Sequence, residues 1–337
     1  MDRIPDFTDV AVQQVSSPLG LNSLRSELFR HNNDYGADPR SQTLRTPPLS
    51  VSCVIPYHET GPLAWDCVVR LARALRRYQG VHAENPQVQI VVVDDGSVRK
   101  PFPHQRIHEL KVIRWPVNRG RSAARNTGLQ ASAGFDMTVF LDSDILVPED
   151  LIIRMVELWD GGNRELRVRP AVVASLLSTL RTAPDTDLDR VLRDASVRTD
   201  WRWSCRYQPQ WVFTPGDWMY VGRRFDLVED TNFFRSWSGM VGPWSLPNMV
   251  LGGCFAVPTA QALSVGGFDE SFAQYGFTET SLVARLIGRA IPVVPQVKSA
   301  AVHVEHNPDH HTQSERVALL STAHRKFFTE FLTDDHI

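Results

Sequence analysis

The stretch Thr138-Val139-Phe140-Leu141-Asp142-Ser143-Asp144-Ile145 constrains this chain more than any other. It is an apolar run that ends in two carboxylates separated by one residue. Such a run suits a buried strand whose last residues emerge at a sheet edge. Side chains alternate on a strand, so Asp142 and Asp144 would point the same way if the strand stayed regular. Two like charges on one patch repel unless something positive lies between them. A divalent metal, or a metal carrying a diphosphate, is the simplest such partner. The competing reading is a strand-end turn in which both aspartates cap backbone amides. A D-x-D is short and common, so the pair alone does not decide.

Neighbouring segments supply the context. Val51-Ser52-Cys53-Val54-Ile55-Pro56 is short, apolar and stopped by proline, which suits a buried parallel strand. Residues 62–78 carry leucine and valine at helical spacing, with arginines on the other face. Val88-Gln89-Ile90-Val91-Val92-Val93-Asp94-Asp95-Gly96-Ser97 reads as a second buried strand ending in an acidic turn, and residues 111–115 as a third, shorter one. A helix over 120–131 precedes the Asp142 strand. This alternation predicts a parallel α/β sheet, in which ligands bind beyond the carboxyl ends of the strands. Pro56, Asp94, Asp95, Asp142 and Asp144 all fall at that edge.

The second half is less regular. Pro148-Glu149-Asp150 opens a further helix, and residues 170–177 are strand-like. Residues 181–246 hold Trp201, Trp203, Trp211, Trp218, Trp237 and Trp244. Aromatic rings over an irregular stretch can line a cleft for a ring-shaped substrate, or form a satellite core under loops. Gly252-Gly253 leads a strand to Val257 and allows close backbone approach. A helix over 258–263, a Gly266-Gly267 turn, a helix over 278–288 with Glu279 in its first turn, short strands at 291–295 and 300–304, and a terminal helix over 312–332 complete the chain. Residues 1–48 read as an extension, with a short amphipathic helix at Leu21–Arg30. The expected divisions are this extension, 49–178 as a nucleotide-binding half, 179–310 as an acceptor-side half with a Trp-rich insert, and 311–337 as a terminal helix.

Composition narrows the setting. The 337 residues are 42% hydrophobic and 22% charged, an ordinary globular profile. A net charge of -2 implies no general nucleic-acid surface. The four scattered cysteines form no C-x-x-C, which fits a reducing, cytoplasmic setting. No apolar run reaches the roughly 18 residues of a membrane span, and the N-terminus lacks a signal-peptide plan, while peripheral membrane contact stays open.

Five motifs occur in order: Val54-Ile55-Pro56-Tyr57, Val93-Asp94-Asp95-Gly96-Ser97, Asn118-Arg119-Gly120 with Ala124-Arg125-Asn126-Thr127-Gly128, Leu141-Asp142-Ser143-Asp144, and Gly266-Gly267-Phe268-Asp269-Glu270. Together, over about residues 50–306, they resemble the inverting family 2 glycosyltransferases of GT-A fold. The resemblance implies one Rossmann-like, mostly parallel sheet flanked by helices, with a smaller acceptor-side subregion. It implies a sugar moved from a nucleoside diphosphate sugar, UDP first among the nucleotides, to an acceptor hydroxyl or amine. The acceptor class is a natural product, a glycan or a lipid-linked molecule.

Roles follow from the same resemblance. Asp94 or Asp95 would accept a hydrogen bond from the base, with Pro56, Tyr57 and Glu59 shaping its pocket. Arg119, Arg121 and Arg125 lie at a helix start, where anions bind and arginine meets phosphate oxygens bidentately. Asp144 would ligate Mn²⁺ or Mg²⁺, with Asp142 and Ser143 near the ribose. His303 is the preferred further ligand, with His306 its rival. Gly252, Gly253 and Trp244 are candidates for sugar contact. Glu279 is the expected catalytic base, although many relatives carry a second acid where this chain has Thr278. The alternatives are a sugar nucleotidyltransferase, or an inactive relative that binds nucleotide or glycan.

Overall fold

The structure is a computed structural model. It describes residues 48–332 apart from 104–105, 160–169, 182–185, 201, 203–205, 215–216, 227–249, 273–275, 288, 290, 292 and 306–311. The extension (save residue 48), the expected helix at Leu21–Arg30, His306, Trp201, Trp203, Trp237 and Trp244 lie outside the described residues.

The first half follows the expected alternation. Strand β1 (Val51–Tyr57), helix α1 (Pro62–Gly80), β2 (Val88–Asp94), β3 (Leu110–Arg114), helix α2 (Arg121–Ala131) and β4 (Met137–Leu141) succeed one another. β1 pairs in parallel with β2 on one side and β4 on the other, and β2 with β3. All five residues of β4 are buried, as its unbroken apolar run requires.

The β4 strand ends sooner than the sequence suggests. It stops at Leu141, and a turn carries Asp142, Ser143 and Asp144 into the two-residue strand β5 (Ile145–Leu146). Helix α3 (Leu151–Glu157) and strand β6 (Val172–Arg181) follow. The region expected to be irregular holds helix α4 (Leu188–Asp194) and an antiparallel hairpin, β7 (Arg206–Thr214) with β8 (Asp217–Asp226), forming its own two-stranded sheet.

Strand β9 (Cys254–Pro258) then inserts between β4 and β6, antiparallel to both. Helices α5 (Thr259–Ser264) and α6 (Thr278–Ile287) lead to β10 (Val293–Glu305), and helix α7 (Gln313–Leu332) is the last element. The two short strands expected near 291–304 are one strand. The amide of Gln296 folds a bulge, accepting from Lys298 and Ser299 and donating to the Ser299 carbonyl, and pairing with β6 resumes at Ala301. The main sheet runs β3-β2-β1-β4-β9-β6-β10-β5, a mostly parallel α/β sheet with β9 inserted antiparallel and β5 antiparallel at the edge.

One core spans both halves. Phe140 on β4 packs edge-on against Phe268 at 4.8 Å between ring centres, and its ring lies tilted against Phe255 of β9 at 5.3 Å. Helix α2 lies hard on β1, because a Cβ at Gly128 would overlap Val54. Asn126 fastens the Gly266-Gly267 turn to the same helix. Its Oδ1 accepts from the Phe268 amide at 2.7 Å and its Nδ2 donates to the Phe268 carbonyl at 2.9 Å. The Arg125-Asn126-Thr127-Gly128 run thus does packing as well as site work.

Overpacking at so close a contact costs about 1–3 kcal/mol. Gly128→Ala should lower the thermal unfolding midpoint accordingly. Gly80→Ala, where an added Cβ meets nothing within 4 Å, should not.

Candidate active site

The carboxyl ends of β2 and β4 deliver carboxylates, but those of β2 are spent on the scaffold. Asp94 is fully buried at the end of β2. Its Oδ1 accepts from the Ser97 amide at 3.1 Å, and its Oδ2 from the Phe102 amide and Arg114 Nε, both at 3.0 Å. That arrangement leaves Asp94 no surface toward a base, which corrects the expectation for this residue. Asp95 is 4% exposed, and its two oxygens accept from the backbone amides of Arg119 at 2.6 Å and Gly120 at 2.9 Å. It therefore shapes the loop that starts α2. Gly96, directly after them, has φ +70, and a Cβ there would strike the backbone of Val117 and Asn118.

The loop after β1 is braced in the same way. Tyr57 is buried, donates its hydroxyl to the Lys100 carbonyl and packs edge-on to Phe102. It supports the wall from behind and does not line it. Glu59 sits at φ +56, and its carboxylate accepts from the amides of Val98 at 2.7 Å, Arg99 at 2.9 Å and Lys100 at 2.6 Å. The Arg99 hydrogen bond outweighs burial, and with Val98 and Lys100 it holds the Glu59 carboxyl below its ordinary pKa. Glu59 is thus a loop clamp on the side where the nucleotide contact is expected. Pro56 is buried beside it in β1.

Helix α2 presents its arginines at three depths. Arg119 is exposed before the helix and stacks on Trp115 at 4.4 Å. Arg121 is 64% exposed, with its guanidinium 3.9 Å from Asp142. Arg125 is completely buried. Its Nη1 is paired with Glu279, while its Nη2 donates to Asp142 at 2.8 Å and to the Gly252 carbonyl at 3.1 Å. Nucleotide contact by Arg125 is corrected on this geometry: the guanidinium is enclosed by protein groups.

Around that guanidinium four distant segments meet. Asp142 comes from the end of β4, and its amide donates to the Gly253 carbonyl at 3.0 Å. Burial works against the Asp142 charge, but Arg121, Arg125 and His303 outweigh it and keep its pKa below the ordinary value. Gly252 must lack a side chain, because a Cβ there would collide with the Glu279 carboxylate and sit 2.8 Å from Arg125 Nη2. Gly253 is backed by Leu177 and Ile145. Glu279, in the first turn of α6, keeps a side-chain exposure of 12%.

Asp144 faces a different partner. Antiparallel pairing of β5 with β10 puts Ile145 opposite His303, and the Val304 amide donates to the Asp144 carbonyl. His303 Nε2 then lies 3.4 Å from Asp144 Oδ2, and both side chains are partly exposed. The Asp144 hydrogen bond raises the His303 pKa against the opposing effect of burial. A carboxylate oxygen and an imidazole nitrogen so placed fit Mn²⁺ or Mg²⁺ as donor types. Among the described residues no group of three His, Cys, Asp or Glu side chains converges. Ser143 between the aspartates bonds Thr60 at 2.6 Å.

The structure therefore gathers Asp142, Asp144, Arg121, Arg125, Gly252, Glu279 and His303 at one edge. It sets Asp94, Tyr57 and Glu59 behind them as support. The sequence reading missed Asn126, Arg114 and Thr60, whose partners are remote in the chain. The Asn in the Arg125-Asn126-Thr127-Gly128 run was the one signal available.

Residues 52–176 match the family described as glycosyl transferase family 2. The chain is similar to the succinoglycan biosynthesis protein ExoO of Rhizobium meliloti (strain 1021), 32% identical over 133 residues, 37% of this chain and 36% of that protein. It is 28% identical over 78 residues to poly-beta-1,6-N-acetyl-D-glucosamine synthase of Staphylococcus epidermidis, 22% of this chain and 19% of the other. The chain thus spans about a third or less of these curated relatives' length. Two solved structures are similar. One is GalNAc-T7 with UDP, GalNAc and Mn²⁺ (TM-score 0.49, 15% identity, 98% of this chain and 57% of that one). The other is the mannosyltransferase PcManGT of Pyrobaculum calidifontis with GDP-Man and Mn²⁺ (TM-score 0.46, 16% identity, 96% and 79%).

The Glu59 clamp predicts a pH signature. Its carboxyl is held below the ordinary value of 4.5 in the folded chain, so its stabilisation is present above that pH. The contribution is lost as pH falls through the lowered folded value. Glu59→Gln should melt below the wild type at pH 7, and the gap should close on acidification below pH 4.5.

Proposed function

We propose that this chain, whose residues 52–176 match glycosyl transferase family 2, transfers a sugar from a nucleoside diphosphate sugar to an acceptor hydroxyl or amine. The transfer inverts the anomeric centre. The observation that carries this reading is the meeting of Asp142, Asp144 and Glu279 at one sheet edge, with Asp142 and Glu279 sharing the Arg125 guanidinium and Asp144 paired with His303.

On this reading Arg119 and the 96–98 loop border the base, and UDP is the first candidate. Arg121, exposed at the start of α2, meets a phosphate oxygen. Asp144 and His303 would hold Mn²⁺ or Mg²⁺, and that ion supplies charge stabilisation for the departing diphosphate. Asp142, already neutralised by two guanidiniums, orients the ribose side. Gly252 and Gly253 leave room for the sugar beside Glu279.

Glu279 acts as general base. One of its oxygens is fixed by Arg125, and the other takes the acceptor proton. The acceptor oxygen or nitrogen bonds the anomeric carbon as the bond from that carbon to the phosphate oxygen breaks, and the nucleoside diphosphate leaves. Trp244 and the rest of the Trp-rich insert are assigned to acceptor choice. A natural product, a glycan and a lipid-linked molecule all fit that class. Among the described residues no helix is long and apolar enough to cross a membrane, and peripheral contact with one suits a lipid-linked acceptor.

A thermal-shift screen of UDP, GDP and dTDP with Mn²⁺ tests the donor site. A nucleotide at a hundredfold its Kd should add about 2.7 kcal/mol of stability. Asp144→Ala should abolish the Mn²⁺-dependent part. Glu279→Gln should keep nucleotide binding and lose roughly 10²- to 10⁴-fold in turnover. Full turnover in Glu279→Gln would end its assignment as base. A wild type that releases no nucleoside diphosphate from any donor would end the transferase reading.

A further inference from the structure

Phe277, the residue before α6, sits at φ +59, in the left-handed region. A bulky residue there is an outlier, and such strain persists only where the surroundings over-determine it. Phe277 is buried, and its ring lies 5.3 Å from that of Phe327 on the C-terminal helix α7. Phe272, Ala284 and Ala323 complete a small cluster separate from the main core.

Helix α7 is fastened to this region by one stripe. A Cβ at Gly276 would come within 2.8 Å of Leu320, and Lys326 lies over the Phe272 ring at 4.5 Å and bonds Ser271. Leu320, Ala323 and Phe327 recur at helical spacing on that face. The strained residue is also the first carbonyl of the next helix, since Phe277 accepts from the Ser281 amide at 2.8 Å. Its backbone direction therefore sets the first turn of α6, and Glu279 is the second residue of that turn.

We infer that Phe277 and Phe327 are positioning residues for Glu279: docking of α7 holds Phe277 in its left-handed conformation and so aims the Glu279 carboxylate at Arg125 and the acceptor. The inference rests on the reading of Glu279 as the base. It gives helix α7 a part in turnover.

The test uses Phe327→Ala, Phe277→Gly and their combination. Glycine adopts positive φ without help, so it should free the α6 entry from its dependence on α7. Phe327→Ala should melt lower, exchange its Thr278–Leu282 amides faster, and lose roughly 10- to 100-fold in kcat. Nucleoside diphosphate release from UDP-glucose, UDP-N-acetylglucosamine and GDP-mannose with Mn²⁺ supplies the rate. Donor KM and the binding of UDP or GDP should hold. The double variant should stay thermally weak yet regain amide protection and kcat. That split between stability and rate is what a merely structural contact would not give.

Unchanged exchange at the start of α6 in Phe327→Ala overturns the inference, as does a double variant no better than Phe327→Ala in protection and rate. If Phe327→Ala does not fold, Phe327→Leu takes its place with the same readouts. Glu279→Gln run in parallel separates the two failures. Its full turnover removes the base reading, while the exchange data still decide whether α7 fixes the α6 entry.

Discussion

The guanidinium of Arg125 is the interaction on which the site depends. An isolated buried charge is prohibitive, so the guanidinium must be compensated where it lies. Asp142, Glu279 and the Gly252 carbonyl do this from three other segments. Its Nε has no hydrogen-bond partner among the described residues, and the Phe268 ring lies 5.4 Å away. Removing one partner of a buried pair costs about 3–5 kcal/mol, because the remaining charge is stranded. The two halves of the sheet edge are therefore bound to one another by electrostatics as well as by the shared Phe140 core. Gly252 follows from the same demand, since any side chain would occupy the space the ion pair needs.

The acidic strand ends divide their labour by depth. Asp94 and Asp95 serve the loops that carry Ser97, Phe102, Arg119 and Gly120, and they hold those loops through backbone amides. Glu59 does the same for residues 98–100. A rigid rim around an open edge is what placing a charged ligand requires, because a base or phosphate is recognised by groups that do not reorganise on binding. Carboxylates of similar sequence context thus become scaffold or site according to how many amides lie within reach.

Much of this was legible in the chain. β1, β2 and β4 are apolar runs that suit a buried strand, and α1 declares itself by periodicity. The strand-end location of the site followed from their order. The hairpin β7–β8 was not legible, since its arginines, prolines and tryptophans blur any alternation. β10 looked like two strands because Lys298 and Ser299 interrupt its apolar run, whereas the Gln296 amide turns that interruption into a bulge. The true place of Arg125 was hidden for a different reason. Its partners Gly252 and Glu279 lie 127 and 154 positions away, and no local pattern reports a contact at that range.

The two aspartates that open the question are not equivalent, and charge explains the difference. Asp142 is matched by two guanidiniums, and its pKa is lowered accordingly. Asp144 is matched by an imidazole, whose pKa its hydrogen bond raises. Above the raised His303 pKa the imidazole is neutral, and the carboxylates of Asp142, Asp144 and Glu279 then stand against the guanidiniums of Arg121 and Arg125, leaving one net negative charge. A free diphosphate is repelled by that balance, and a divalent cation is attracted. On the proposed reading, donor and metal must therefore arrive as a pair, and Asp144 is the side of the cluster with charge left to offer them.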